Sequence, residues 1–294
     1  MQTLLMDLRF RLLNVFSMAG DPFSGNPLCV FEDAAALTAL QMQAWARQFN
    51  LSETTFVTAT RAESADVAEA DVRIFTGSYE MPFAGHPTLG TAHVVAARAG
   101  GIDEVALSMP AGRIPVRRVD DGWRLRANPA TARSARATPP EMAEVLGVRP
   151  EAVVPDGAHW VDSGVEQLLV ELSDGAAVQA CQPDPRGMRE RLSLPGREPQ
   201  VYVWARTAES MITARFFAAS GSALEEDPAT GSAAANLGNW LALTGRRDEL
   251  ITISQGHQVG RPSRVVVGVD DDGTVFVGGR VTEVGSGTVR AMDG

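Results

Sequence analysis

Residues Arg73 to Ala92 read Arg-Ile-Phe-Thr-Gly-Ser-Tyr-Glu-Met-Pro-Phe-Ala-Gly-His-Pro-Thr-Leu-Gly-Thr-Ala, and a second version of the stretch runs from Arg215 to Ala234 as Arg-Phe-Phe-Ala-Ala-Ser-Gly-Ser-Ala-Leu-Glu-Glu-Asp-Pro-Ala-Thr-Gly-Ser-Ala-Ala. Setting Pro87 on Pro228 pairs His86 with Asp227 and Gly90 with Gly231 at an offset of 141 positions, close to half of the 294 residues. Each copy is an extended apolar run, a loop, a polar residue, a proline and then an Ala/Gly-rich apolar segment, which reads as strand, loop, helix. Proline suits a first helical turn, and a His or Asp just ahead of it can cap free backbone N–H groups. Such helix starts attract anions, so the sequence predicts two of them, one per half, facing a small carboxylate or phosphate across a cleft. Gly85 and Gly231 equally suit close helix packing.

Working outward, Phe10 to Phe16 and Leu28 to Phe31 read as two strands of a hairpin joined by the turn-rich Asp21 to Pro27. Thr38 caps a helix over Ala39 to Phe49 whose apolar residues recur at helical spacing, ending near Asn50. Glu53 follows at the head of a strand, sharing a face with Thr55 and Val57. Its carboxylate is either a solvated loop charge or a buried group with a raised pKa suited to proton transfer. A helix from Pro87 to about Ala99 and a meander of Val105 to Met109, Arg113 to Val116 and Trp123 to Arg126 complete the first half. Asn128 to Pro140, with no apolar period, reads as a linker. The division expected is therefore an amino-terminal lobe at 1–127, a carboxy-terminal lobe at 128–280 and a last segment, 281–294, that returns to the first lobe.

In the second half, Glu141 to Leu146 reads as a short helix, Val165 to Leu172, Val201 to Ala205 and Ile212 to Ala218 as strands, and Asp184 to Arg197 as a surface helix or loop. Pro228 to Leu243 is a helix apolar on most sides, so it should be buried nearly all round. Leu250 to Ser254, Arg264 to Val269 and Thr274 to Gly279 close the chain as strands, with Asp270 to Gly273 as a hairpin turn that lacks the remaining ligands of a calcium loop.

A net charge of -10 argues against nucleic-acid or anionic-membrane partners and favours a small-molecule ligand. Two distant cysteines, Cys29 and Cys181, build neither a disulfide framework nor a Cys-x-x-Cys site. No metal motif, Walker loop, dinucleotide fingerprint or Gly-x-Ser-x-Gly elbow occurs, so no metal or cofactor is expected. His93 reads as a packed helical histidine and His86 as a loop residue. Charges near the start leave no signal-peptide core, and no run is apolar enough to span a membrane, which points to the cytoplasm. Glu53, His86 and Asp227 are then the candidate proton carriers.

Gly25-Asn26-Pro27, Ser52-Glu53-Thr54, Pro82 to Gly90 and Glu226 to Ala233 closely resemble, in order, motifs of the phenazine-biosynthesis PhzF-like family. The resemblance implies an α+β, diaminopimelate epimerase-like fold: two pseudo-symmetric lobes, each a β-barrel-like mixed sheet wrapped around a central α-helix. It implies Glu53 as the acid/base, assisted by His86 and Asp227, with Ser52, Gly85, Gly231 and Ser232 holding substrate. The epimerase relatives' two catalytic cysteines fall at Ala84 and Ala229, so a two-thiol racemase is not available. The activity implied is a cofactor-independent isomerase of a small anionic, carboxylate-bearing metabolite, in a family where homodimers are common. A non-catalytic small-molecule binding protein, or a lyase or hydrolase on the same scaffold, are the alternatives.

Overall fold

The computed structural model describes residues 5–62, 64, 66–220 and 223–292. By contacts within the chain it divides into two units, one running up to Leu125 and resuming at Gly278, the other spanning Arg126–Val277.

The first unit contains β1 (Leu5–Val15), β2 (Asn26–Phe31), α1 (Ala39–Phe49), β3 (Glu53–Ala62), β4 (Val67–Phe75), β5 (Glu80–Met81), α2 (Gly85–Arg98), β6 (Glu104–Met109), β7 (Gly112–Val119) and β8 (Gly122–Arg126). The first hairpin turns at Gly25, where φ is 81° and a Cβ would lie 2.6 Å from the Val15 carbonyl oxygen, so a side chain is excluded on both counts. Helix α1 starts and stops where its sequence says it should. Thr38 and Gln41 form a reciprocal capping box, and Asn50 ends the helix in the left-handed region at φ 52°. Antiparallel β1–β2, parallel β2–β3, antiparallel β3–β4, parallel β4–β6 and antiparallel β6–β7–β8 follow one another, and the last strand of the chain pairs with both β8 and β1. The result is a closed, mixed ring of eight strands.

Helix α2 packs on β1, β2, β3, β4, β6 and β7, which makes it the ring's filling. Its residues from His86 to Ala92 are all buried, and at Gly90 a Cβ would stand 2.4 Å from the Leu28 Cδ2 atom, so the helix reaches the sheet only because that position has no side chain. The opposite face of β2, β3 and β4 carries a second core in which Phe31 stacks on Phe56 with ring centroids 4.8 Å apart, Phe75 meets Phe56 edge-on, and Met42 and Ala46 of α1 cover them. Burying each such aromatic side chain stabilises the fold by roughly 2–3 kcal/mol.

The second unit contains β9 (Thr131–Ser134), α3 (Pro139–Leu146), β10 (Val153–Asp162), β11 (Glu166–Leu172), α4 (Gly175–Ala180), α5 (Pro185–Arg191), β12 (Gln200–Ala208), β13 (Met211–Ser220), β14 (Ala223–Asp227), α6 (Gly231–Leu243), β15 (Glu249–Gln255) and β16 (Ser263–Val269), and the chain ends in β17 (Val275–Met292). The pairing grammar of the first unit recurs: β10–β11 antiparallel, β11–β12 parallel, β12–β13 antiparallel, β13–β15 parallel, β15–β16 antiparallel. Helix α6 is buried along nearly its whole length, as its composition predicts. The expected linker is different: within 128–140, β9 is a strand paired with β10. Asp184 to Arg197 is also more than a surface segment, since Gly187, Met188 and Leu192 are buried. Asp270 to Gly273 is a turn, with the Asp270 N–H donating to the Thr274 carbonyl.

Strand register corrects the alignment of the two copies. In β4 and β5 Phe75 stands opposite Glu80, and in β13 and β14 Phe217 stands opposite Glu226. An Arg–Glu fork marks each hairpin: Arg73 donates to both carboxylate oxygens of Glu80 (2.7 and 2.6 Å), and Arg215 does the same to Glu226 (2.9 and 2.7 Å). Arg73 to Arg215 is an offset of 142 and Glu80 to Glu226 one of 146, so the second hairpin is four residues longer. Past the hairpin His86 therefore corresponds to Ser232 and not to Asp227, whose counterpart is Met81. The helix caps likewise are Ala84 and Thr230, so Thr230 replaces Ala229 as the counterpart of Ala84.

Candidate active site

In the first unit the candidate residues converge. Glu53 begins β3 with its alternation aimed, like that of Thr55, toward α2, where the Thr55 hydroxyl meets that of Thr91 at 2.8 Å. One turn nearer the helix start, His86 Nε2 lies 3.3 Å from Glu53 Oε2, with side-chain exposures of 8% and 15%. Burial raises the Glu53 pKa to about 7, opposed by a hydrogen bond from Ser52, which favours the carboxylate. Ser52 itself is exposed, and its Oγ lies 3.2 Å from Asn26 Oδ1, which brings the Gly25-Asn26-Pro27 loop beside the residue before Glu53.

One expectation changes here. His86 is not a loop residue ahead of the helix; it is the second residue of α2 and buried, and the N-cap position is Ala84, which supplies no side-chain cap. The reason is local: Ala84 is already extended (φ -151°, ψ 137°), so the helix begins at Gly85 and Pro87 falls at the third position. His86 thereby rides on a rigid element, at the end of α2 where backbone N–H groups are unsatisfied.

In the second unit Asp227 closes β14, and Thr230, not Asp227, occupies the N-cap position of α6, without a side-chain bond to the helix start. The Thr230 hydroxyl donates to Asp227 Oδ2 at 2.5 Å, and Gln255 Nε2 donates to the Asp227 carbonyl (2.8 Å) and to Thr230 Oγ1 (3.1 Å). The Tyr202 hydroxyl donates to Gln255 Oε1 at 3.2 Å, and burial together with Asp227 pushes its pKa up. Gly231 and Ser232 open α6, and Ser232 Oγ accepts from the buried Gln167. Sequence reading missed Tyr202, Gln255, Gln167 and Gln200. The signal for Gln167 was Asn236, a polar residue in an otherwise apolar helix, whose Nδ2 donates to Gln167 Oε1.

His93 is helical and accepts from Trp123 Nε1 at 3.3 Å. His159 stacks on Trp240 at 3.7 Å. Both cysteines are buried and free. Among the described residues no group of three or more His, Cys, Asp or Glu is placed to hold a metal ion, and no helix is long and apolar enough to cross a membrane.

Comparison with known proteins agrees with this architecture. The chain is 35% identical to an uncharacterized isomerase of Pasteurella multocida over 97% of its own length and 95% of that protein's. It is 33% identical to trans-2,3-dihydro-3-hydroxyanthranilate isomerase of Pseudomonas chlororaphis, over 93% and 96%. A crystal structure of a phenazine biosynthesis protein of the PhzF family from Bacillus anthracis superposes with a TM-score of 0.79 at 21% identity, covering 97% of this chain and 99% of that one. Fold and relatives together define an isomerase built on the diaminopimelate epimerase-like fold. Residues 14–287 match the family model described as phenazine biosynthesis-like protein, and the chain belongs to that family.

Proposed function

We propose that this isomerase moves a proton between carbons of a small carboxylate-bearing metabolite, with Glu53 as the single acid/base and no cofactor. The observation that carries the reading is a buried carboxyl with a pKa of about 7, 3.3 Å from an imidazole on the first turn of a helix. A group that titrates near neutrality can both take a proton and return it, and one that titrates at 4.5 is a poor base toward carbon. The helix start and His86 stabilise the negative charge that builds on the substrate between the two transfers. In the first unit Ser52 and Gly85 are proposed as substrate-binding groups; in the second, Asp227 is proposed as an assisting proton carrier and Gly231 and Ser232 as groups that bind a carboxylate. The name shared by several relatives supports this substrate class, since a dihydro-hydroxyanthranilate is a partly reduced aminobenzoate.

The test is incubation of the enzyme in deuterated water with trans-2,3-dihydro-3-hydroxyanthranilate and a panel of other small carboxylic acids, followed by NMR and mass spectrometry. An isomer of unchanged composition carrying deuterium on carbon is expected for at least one compound. Binding without turnover across the panel identifies a binding protein, and a change of composition identifies a lyase or hydrolase; either result overturns the proposal.

A further inference from the structure

We propose that Gln167 is a positioning residue that turns the Ser232 O–H and the Gln200 side-chain N–H hydrogens away from itself, making their surroundings a subsite that prefers a carboxylate to a neutral amide. The inference rests on the reading above that Ser232 contacts substrate, and deepens it.

It begins with two groups whose roles cannot be exchanged. The Ser163 backbone N–H can only donate and the Val165 carbonyl can only accept. The first donates to Asn236 Oδ1 at 2.9 Å, and the second accepts from Asn236 Nδ2 at 2.9 Å, so the orientation of the Asn236 amide is determined. Asn236 Nδ2 also donates to Gln167 Oε1 at 2.9 Å, which determines Gln167 in turn. Gln167 Nε2 is then left to donate to Gln200 Oε1 at 3.1 Å and to Ser232 Oγ at 3.0 Å. Asn236 and Gln167 are 0% and 1% exposed, so water does not compete for these bonds. At the far end of the relay Gln167 Nε2 occupies one acceptor site on Ser232 Oγ and one on Gln200 Oε1, which leaves the Ser232 O–H and the two Gln200 Nε2 hydrogens directed away from Gln167. Both residues are half-buried, at the boundary where a ligand can be met. Two donors presented side by side favour an anion, whose hydrogen bonds are the stronger.

The duplicated register adds an independent observation. Phe56 stands opposite Arg73 in the first unit and Val203 opposite Arg215 in the second, so Gln200 occupies the position of Glu53, and Ser232 that of His86. The proton-moving pair of one unit is matched in the other by a neutral, hydrogen-donating pair. A Gln cannot accept a proton from carbon, but it can hold a carboxylate.

The experiment titrates formate, and separately the near-isosteric neutral formamide, against ¹⁵N-labelled full-length protein, following the Ser232 backbone and Gln200 side-chain amide signals. Wild type is expected to bind formate saturably at this pair and formamide at least tenfold more weakly. Gln167→Glu, an acceptor-only side chain that turns both donors inward, should weaken formate at least tenfold. Gln200→Glu, at a half-buried position that leaves the core relay intact, should do the same if the first variant fails to fold. Equal binding of formate and formamide, no response at Ser232 and Gln200, or unchanged formate affinity in a folded variant would overturn the assignment. Formate binding that depends on Gln167 in an enzyme lacking Glu53-dependent proton exchange would leave the relay standing and sink only the catalytic reading.

Discussion

Replacing Glu53 by Gln should make the protein more stable above neutrality and leave it nearly unchanged in acid. The native state holds the Glu53 carboxyl protonated to about pH 7, whereas an exposed glutamate titrates at 4.5. Below pH 4.5 folded and unfolded chains both carry the proton, and there is no penalty. Between 4.5 and 7 the unfolded chain gives up its proton while the folded one keeps it, so wild-type stability falls as pH rises; above 7 the folded protein contains a buried carboxylate and the penalty is complete. At about 1.4 kcal/mol per pH unit the total is about 3 kcal/mol. Glutamine resembles the protonated acid in shape and has no such titration. For a chain of this size the difference corresponds to a thermal midpoint about 5 °C higher for Glu53→Gln than for wild type at pH 8, shrinking toward zero at pH 4. Paired thermal melts across that range make the measurement, and a gap that does not change with pH would refute the assignment of a buried, high-pKa carboxyl.

Three further outcomes follow from other parts of the molecule. Ser52→Ala removes the hydrogen bond that favours the Glu53 carboxylate, so the acid limb of the pH–rate profile should move to higher pH; a limb that stays put or falls would contradict the contact. Arg215 is 9% exposed and, besides gripping Glu226, donates to the carbonyls of Gln179 and Cys181, so Arg215→Met should cost about 3–5 kcal/mol in chemical denaturation. Arg73→Met, at the more exposed fork, should cost clearly less. Cys29 and Cys181 are buried, with burial pushing both thiols up, that of Cys181 to about 12, so neither should react with a thiol reagent at pH 8 until the protein unfolds.

What was legible in the sequence was local. Helix α1 begins at Thr38 and ends at Asn50 because a capping box and a left-handed asparagine are written within its own residues. Strand β10 was invisible because Pro155 and Gly157 interrupt it, Asp156 sits at φ 56°, and its pairing with β11 shifts between Val153 and Ala158; only the neighbouring strands hold such a segment extended. Strand β17 seemed to stop at Gly279, yet Gly278 is there because a Cβ would meet the Trp123 carbonyl oxygen at 2.4 Å. For Glu53, alternation along β3 gave the face but not the burial, which depends on an α2 helix that starts two residues earlier than its proline suggests. The recurrence was visible, but a four-residue difference in one hairpin concealed that Ser232, and not Asp227, is the counterpart of His86.

The central claim, that one glutamate carries the proton, is tested most directly by the rate at which Glu53→Gln incorporates solvent deuterium into carbon of a turned-over substrate. A loss of at least a thousandfold relative to wild type is predicted, on the order of what a positioned acid/base contributes. A rate within tenfold of wild type would contradict it.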